Sequence, residues 1–192
     1  NPNLPVILCL GYPNKFSPLY DWVYVEIIKR VAGGQLIFMN DREETSEILK
    51  IRLKNKMEQA GLNYEKHVIF IPGLSRQGYS ALMKNADLLL DPIGFSGANT
   101  TLQAIGCGLP VVTREGKFQR TKHASAILRS LEIEELITST EEDYIDLVEK
   151  IILDDGFRKK LKFKIKSNEN YLYKNKKPIR ALENFFESVG GH

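Results

Sequence analysis

Residues 88–104, which read LLLDPIGFSGANTTLQA, decide the fold together with residues 108–113, which read GLPVVT. The pattern predicts a buried strand at 88–90, a glycine loop, a short helix at 100–107, a glycine stop and a second buried strand at 111–112. This order places free backbone amides at a helix N-terminus, beside the C-terminal edge of a parallel sheet. Open α/β sheets bind ligands at this edge, and helix N-termini favour anions, so the stretch predicts a site for a phosphate-bearing ligand.

Outward from this stretch, short apolar strands alternate with helices along most of the chain. We expect strands at 6–10, 36–39, 67–71, 88–90, 111–112 and 136–137, and helices from Ser17-Pro18 to about 31, then at 45–60, 77–84, 100–107, 121–131 and 141–153. Such alternation is typical of βαβ units and of a parallel sheet with helices on both faces. We therefore expect a doubly wound α/β domain over residues 1–170 and a helical tail over 171–192.

The tail supports two interpretations. Residues 161–166 alternate with period two, as in an edge strand, but Phe157, Leu161 and Ile165 recur at helical spacing. The lysine-rich composition favours a helix, which we adopt. A final helix is expected over 181–189, and its apolar residues Leu182, Phe185 and Phe186 need a surface to cover.

Composition excludes several classes of protein. The chain has 192 residues, 43% hydrophobic and 27% charged, as in an ordinary globular protein, and it contains no apolar run of the roughly 20 residues that a membrane span needs. Residues 1–6 have no basic or apolar signal region, and the missing initiator Met suggests a chain cut from a longer one. Cys9 and Cys107 fall inside a predicted strand and helix, which favours buried, reduced thiols and a cytoplasmic protein.

The charge is distributed unevenly along the chain. Residues 158–180 hold ten Lys or Arg and one acid, Glu169, so this segment carries a charge of +9. Because the net charge of the whole chain is +3, the remaining residues carry −6. We interpret this basic segment as a solvated helix face and do not expect a membrane partner; the alternative is a patch for a membrane surface. We do not expect a nucleic-acid partner, because the positive charge is confined to one segment and no recognised aromatic stacking platform accompanies it.

Three predicted strand ends supply candidate binding residues. At the helix start, Gly97 permits close approach of a ligand. The backbone amides of Asn99, Thr100 and Thr101, with the two threonine hydroxyls, suit a diphosphate, although Asn99 or Thr100 would also serve as a simple helix cap. Lys15 follows the first strand and would neutralise phosphate charge, unless it is merely solvated.

The third strand end is the loop over residues 70–76. Its backbone, with Arg76 and the ring of Tyr79, would read a planar base, but both side chains also suit ordinary surface packing or an ion pair. His67 is expected to be structural, whereas His123 begins a helix that faces the same sheet edge. We find no metal-ligand spacing, no nucleophile elbow, no Gly-x-Gly-x-x-Gly and no P-loop.

The ordered set of motifs resembles a known family. Residues 90–104 and 108–113 are similar to the C-terminal half of O-linked N-acetylglucosamine transferases of the SPINDLY-like group, which is glycosyltransferase family 41. Further segments follow in the family's order, namely 14–18 (NKFSP), 28–31 (IKRV), 70–72 (FIP) with 86–87 (AD), 120–123 (RTKH) with 126–128 (AIL), and 142–144 (EDY). The resemblance spans roughly residues 6–170.

This resemblance implies a Rossmann-like domain, the C-terminal half of a GT-B fold, that binds the donor of an inverting, metal-independent transferase, with a UDP-sugar as substrate and no cofactor. It implies that Lys15 contacts the diphosphate and stabilises the departing nucleotide, and that Thr100 and Thr101 hold the phosphates. The backbone near Leu74, with Arg76 and Tyr79, faces the base. The remaining expected donor contacts are Asn14, Ser96, Gly97, Asn99, Gln103 and His123.

Two positions depart from the family pattern. Gln103 stands where members carry an acidic residue that accepts hydrogen bonds from the ribose hydroxyls, and Asn99 stands near a histidine of some members. One domain is also only half of a GT-B enzyme, so we expect a missing N-terminal domain, an isolated half that is inactive, and a polypeptide acceptor modified at Ser, Thr or Asn. The alternatives are a GT-B enzyme of polysaccharide synthesis, a sugar-nucleotide 2-epimerase, or a non-catalytic nucleotide-binding module.

Overall fold

A six-stranded parallel sheet forms the centre of the computed structural model, which describes residues 4–190. The strand order is β3-β2-β1-β4-β5-β6, and every neighbouring pair is parallel. The strands are β1 (Val6–Cys9), β2 (Gln35–Met39), β3 (Val68–Ile71), β4 (Leu88–Leu90), β5 (Val111–Arg114) and β6 (Ile137–Thr138). Their nearly continuous apolar character is typical of strands covered on both faces. The doubly wound α/β class is therefore confirmed, whereas expectations for residues 1–3 and 191–192 lie outside the described residues.

Nine helices within residues 4–190 connect and cover these strands. They are α1 (Asp21–Arg30), α2 (Glu43–Gln59), α3 (Tyr64–His67), α4 (Arg76–Lys84), α5 (Asn99–Gly106), α6 (His123–Ser130), α7 (Glu141–Leu153), α8 (Asp155–Tyr173) and α9 (Lys177–Val189). Most bounds lie within two residues of the prediction. His67 was expected to open the third strand, but it ends α3 instead; it is buried, and its Nδ1 lies 2.9 Å from the Gly34 carbonyl oxygen, as suits a structural histidine.

The first helix begins later than predicted. Ser17 and Pro18 open a single 3-10 turn, Pro18–Tyr20, and the Ser17 hydroxyl accepts the Leu19 N–H at 3.4 Å. The α-helix starts at Asp21, whose buried carboxylate receives two hydrogen bonds from Arg52, at 2.9 and 2.6 Å. The sequence signal was wrong by one turn because a serine cap followed by proline suits a 3-10 turn as well as an α-helix.

The order of the strands reverses between β1 and β4, which lie side by side at the centre of the sheet. In open α/β sheets, ligands bind in the crevice at such a switch point. The loops that leave the two strands approach each other closely, because a Cβ added at Gly11 would lie 2.7 Å from Pro92 Cγ. A glycine at position 11 is therefore needed to bring the two strand ends together.

A buried carboxylate organises the loop that follows β4. Asp91 is 3% exposed, and it accepts the Gly97 N–H and the Thr113 hydroxyl, each at 2.7 Å. Tyr144 of α7 donates to the Asp91 carbonyl at 3.1 Å. Burial raises the pKa of Asp91, while the donors on Gly97, Thr113 and Ser96 oppose that rise. Asp91 thus ties the loop before α5 to β5, as a polar residue at the end of a buried strand must when it is removed from water.

The tail is helical, as predicted. Helix α8 runs without a break from Asp155 to Tyr173 and buries Leu161 and Ile165, so the edge-strand alternative for residues 161–166 is wrong. Several of its cations pair with acids: Lys164 with Glu135, Lys166 with Glu169, and Arg158 with Asp87 and Asp155. Helix α9 starts at Lys177, four residues before the predicted start, and its apolar side chains are exposed.

No helix in the described part of the chain combines the length and apolar character needed to cross a membrane. The predicted boundary at residue 170/171 falls inside α8 and remains a prediction.

We expect Asp91→Ala to destabilise the domain strongly. The change leaves the buried Gly97 N–H and Thr113 hydroxyl without an acceptor, at a cost of about 3 kcal/mol. For a domain of this size that corresponds to a fall in Tm of about 6–12 °C. Thermal unfolding followed by circular dichroism measures it, with the exposed Glu44→Ala as control; equal Tm values for the two variants would refute the organising role of Asp91.

Candidate functional site

A cavity of about 590 Å³ opens at the carboxyl edge of the sheet, over the β1–β4 switch point. A cavity of this size suits a small-molecule ligand. Its walls come from the segments that end or follow β1, β2, β3 and β4, from α4 and α5, and from the start of α6. They comprise Leu10, Gly11, Tyr12, Pro13, Lys15, Met39, Asn40, Asp41, Gly73, Tyr79, Phe95, Ser96, Ala98, Asn99, Thr100, Gln103 and His123.

Lys15 is the cation that the loop after β1 brings to this cavity. It closes a 3-10 turn, Pro13–Lys15, and the next side chain, Phe16, is buried against Tyr24 and Phe38 with ring centroids 5.9 and 5.2 Å apart. Arg52 adds a hydrogen bond to the Phe16 carbonyl at 2.8 Å. The backbone beneath Lys15 is therefore fixed from inside the core, while the amine remains at the cavity.

The N-terminus of α5 faces the same cavity. Asn99 is the first residue of this helix, and the preceding Ala98 makes no side-chain cap. The first N–H groups of a helix have no intrahelical acceptor, so they are donors for an anion. Thr100 lies in the cavity wall beside them. Two of the elements that sequence reasoning singled out for phosphate, Lys15 and the start of α5, are thus brought together.

A second set of hydrogen bonds joins Ser96 to Arg120 and Ala124, which lie on either side of His123. The buried Ser96 hydroxyl accepts the Ala124 N–H at 2.8 Å, which caps α6, and the Ser96 N–H donates to the Arg120 carbonyl at 2.8 Å. These bonds hold the start of α6, with His123, against the loop before α5. Ser96 reaches the cavity wall, but its hydroxyl also serves this structural contact.

The residues expected to face a base line a second cavity of about 430 Å³, between α4 and α5. Leu74, Arg76 and Tyr79 form its walls, and Tyr79 and Gln103 belong to both cavities. Burial raises the pKa of Tyr79, while the side chain of Thr100 opposes that rise. The two cavities therefore form neighbouring compartments that share one wall.

Three predicted residues lie elsewhere. Thr101 is fully buried and its hydroxyl donates to the Gly97 carbonyl at 2.6 Å, so its side chain does not reach the cavity. Asn14 is exposed and is not a wall residue. Gly97 lies behind the wall, where its N–H is already donated to Asp91.

Sequence reasoning missed several wall residues, among them Tyr12, Asn40, Asp41 and Phe95. Asn40 carries a signal that only the structure shows, since its buried Oδ1 has no hydrogen-bond partner. Phe95 and Tyr12 are large exposed aromatic residues, at 44% and 62%. An aromatic residue in a polar, glycine-rich loop such as 94–98 is the one clue that the sequence offered.

Within residues 4–190, no group of three or more His, Cys, Asp or Glu side chains is arranged to hold a metal ion. Cys9 is buried in β1 and Cys107 is half-buried at the end of α5, and both are free thiols.

Comparison with known proteins shows which family this chain is similar to in sequence. The sequence model of glycosyl transferase family 41 matches residues 6–180. A relative from Solanum lycopersicum, described as a probable UDP-N-acetylglucosamine–peptide N-acetylglucosaminyltransferase SPINDLY, is 22% identical over 181 residues, which cover 91% of this chain and 19% of the relative.

Solved structures share the fold. A mutant of the Thermobaculum terrenum O-GlcNAc transferase has a TM-score of 0.84 at 24% identity, covering 95% of this chain and 35% of that one. S. aureus TarM, a mutant in complex with Fondaparinux, alpha-GlcNAc-glycerol and UDP, has a TM-score of 0.65 at 13% identity, with the same two coverages. This chain thus spans about a fifth to a third of the relatives' lengths.

The expected Rossmann-like half of a GT-B fold is confirmed by these structural relatives. The family match extends over most of the chain, from β1 into α9. The chain therefore belongs to glycosyl transferase family 41.

Proposed function

We propose that the chain is the donor-binding half of a glycosyltransferase and that its cavity binds the nucleoside diphosphate of a UDP-sugar. One observation carries the proposal: Lys15 and the N-terminus of α5 face the same cavity at the β1–β4 switch point. A lysine amine and a row of free backbone amides together suit two adjacent phosphate groups. A structural relative solved with UDP supports the choice of nucleotide.

The neighbouring compartment suits the nucleoside. In this proposal the base lies against Tyr79 and near Leu74 and Arg76, and the ribose lies at Gln103, the wall between the two compartments. The sugar then extends toward the opposite side of the larger cavity, where Phe95, Ser96 and His123 form the wall. The order base, ribose, diphosphate and sugar thus follows the wall residues from α4 across α5 to α6.

The proposed chemistry is an inverting displacement at the anomeric carbon. The nucleophile of the acceptor, which is the hydroxyl oxygen of Ser or Thr or the amide nitrogen of Asn, attacks that carbon. The bond to the diphosphate oxygen breaks, and the acceptor proton passes to a base. Lys15 is the catalytic residue of this chain, because it stabilises the charge that develops on the leaving diphosphate without a metal ion. The fixed site also holds the donor in a reactive orientation.

The rest of the machinery would come from outside this chain. We propose that an N-terminal GT-B domain completes the cleft and supplies the acceptor site, that the acceptor is a polypeptide Ser, Thr or Asn, and that the separate half does not transfer sugar. The lengths of the relatives support this division. The two free cysteines fit a reducing compartment such as the cytoplasm.

Lys15→Met tests the diphosphate site. We expect affinity for UDP to fall about ten- to a hundredfold, because one charge-assisted hydrogen bond is lost. Titration calorimetry measures it, with the exposed Lys56→Met on α2 as control and with UMP as a ligand that should lose less. Affinity that is unchanged in Lys15→Met would refute the site.

Substitutions of the two neighbouring threonines should have different effects, one on UDP affinity and the other on stability. Thr100→Val removes a hydroxyl from the cavity wall, so UDP affinity should fall while Tm stays close to that of the original protein. Thr101→Val removes the buried bond to the Gly97 carbonyl, so stability should fall by about 1 kcal/mol. Calorimetric titration and thermal unfolding of both variants test this contrast, and the reverse pattern would contradict the assignment.

A second candidate is a nucleotide-binding module without turnover, and Gln103 favours it, because an uncharged amide accepts ribose hydrogen bonds less strongly than a carboxylate. Gln103→Glu should then strengthen UDP binding about three- to tenfold. The gain should vanish with 2′,3′-dideoxy-UDP, which lacks the hydroxyls. An equal gain for both nucleotides, or none for UDP, would show that position 103 does not read the ribose.

A further inference from the structure

The amine of Lys15 lies over the ring of Phe95, with Nζ 4.7 Å from the ring centroid. We propose that Phe95 is a positioning residue, which holds the Lys15 ammonium at the diphosphate site through a cation–π contact. The inference rests on the proposed function, and it assigns to Phe95 a role that acts through Lys15.

Both partners stand on fixed backbone. Lys15 closes its 3-10 turn with an N–H bond to the Tyr12 carbonyl at 2.9 Å, ahead of the buried Phe16. On the other side, Phe95 donates its N–H to the Pro92 carbonyl at 3.3 Å, and the next residue, Ser96, bonds to Arg120. Because β1 and β4 are neighbours in the sheet, the two loops meet in a set geometry.

The loop conformation directs Phe95 into the cavity. Gly94 has a φ of +94°, a conformation that glycine adopts readily, and Ile93 before it is buried. The chain thus turns outward between a core residue and Phe95. Phe95 is 44% exposed and does not belong to the hydrophobic core cluster or to the side chains packed against it, so core packing does not account for its position.

The Phe95 ring holds the Lys15 ammonium without neutralising its charge. Among the described residues, no carboxylate oxygen lies within 4.0 Å of Lys15 Nζ. The buried Asp91 lies behind the site, where the Lys15 charge acts to lower its pKa without a salt bridge, and its oxygens accept from Gly97 and Thr113. If Lys15 were paired with a carboxylate, that ion pair would have to be broken or shared when an anionic ligand binds. The quadrupole of the Phe95 ring instead orients the Lys15 ammonium and leaves its charge free for phosphate.

A double-mutant cycle tests the role. UDP affinity is measured by calorimetry for the original chain, Phe95→Leu, Lys15→Met and the double variant. Phe95→Leu should weaken UDP binding about three- to thirtyfold when Lys15 is present, and it should have no further effect in the Lys15→Met background. Phe95→Tyr, which keeps the ring, should retain the affinity.

The matched control is Phe118→Leu, because Phe118 is another exposed ring, with the Arg120 guanidinium 5.0 Å from its centroid, outside the cavity walls. It should leave UDP affinity unchanged. If the losses of UDP affinity in Phe95→Leu and Lys15→Met added independently in the double variant, the positioning role would be overturned and Phe95 would contact the ligand itself. Unchanged UDP affinity in Phe95→Leu would also overturn the positioning role. Unchanged affinity in Lys15→Met would instead overturn the proposed function.

Discussion

The carboxylate of Asp91 is the constraint on which the site depends. A carboxylate buried at the end of a central strand must find donors inside the protein, and it takes them from the Gly97 N–H and the Thr113 hydroxyl. These bonds join the loop before α5 to β5, and Tyr144 adds a bond from α7. The helix start that faces the cavity is therefore held by the core rather than by contacts at the surface.

The site divides its tasks between backbone and side chains. The sheet order places the ends of β1 and β4 side by side, and the α5 amides and Lys15 then meet at one cavity. The two features are complementary, because a helix N-terminus offers partial charge and directed donors, and a lysine offers a full charge with little directionality. Together they suit a diphosphate.

The fold was predictable from sequence because apolar runs and glycine stops repeat at βαβ spacing. The parallel sheet and the helical tail are local or periodic properties of the chain. The start of α1 was misplaced, since serine followed by proline suits two kinds of turn. Thr101 was expected to face the ligand, but helical geometry turns it inward, toward the Gly97 carbonyl.

Contacts between distant segments were beyond sequence reasoning. The sequence analysis did not single out Asp91, because its pairing with Thr113 depends on strand order. The Lys15–Phe95 contact joins two loops 80 positions apart, so no spacing rule reveals it. The family resemblance, carried by the order of several short motifs, supplied the functional hypothesis that periodicity does not contain.

Amide hydrogen exchange with and without UDP tests the central claim most directly. The first amides of α5, those of Asn99, Thr100 and Thr101, have no intrahelical acceptor and should exchange fast in the free protein. If the diphosphate binds there, UDP should slow exchange at these amides far more than UMP does. No change at residues 99–101 with saturating UDP, or protection confined to α8 and α9, would contradict a diphosphate site at this helix.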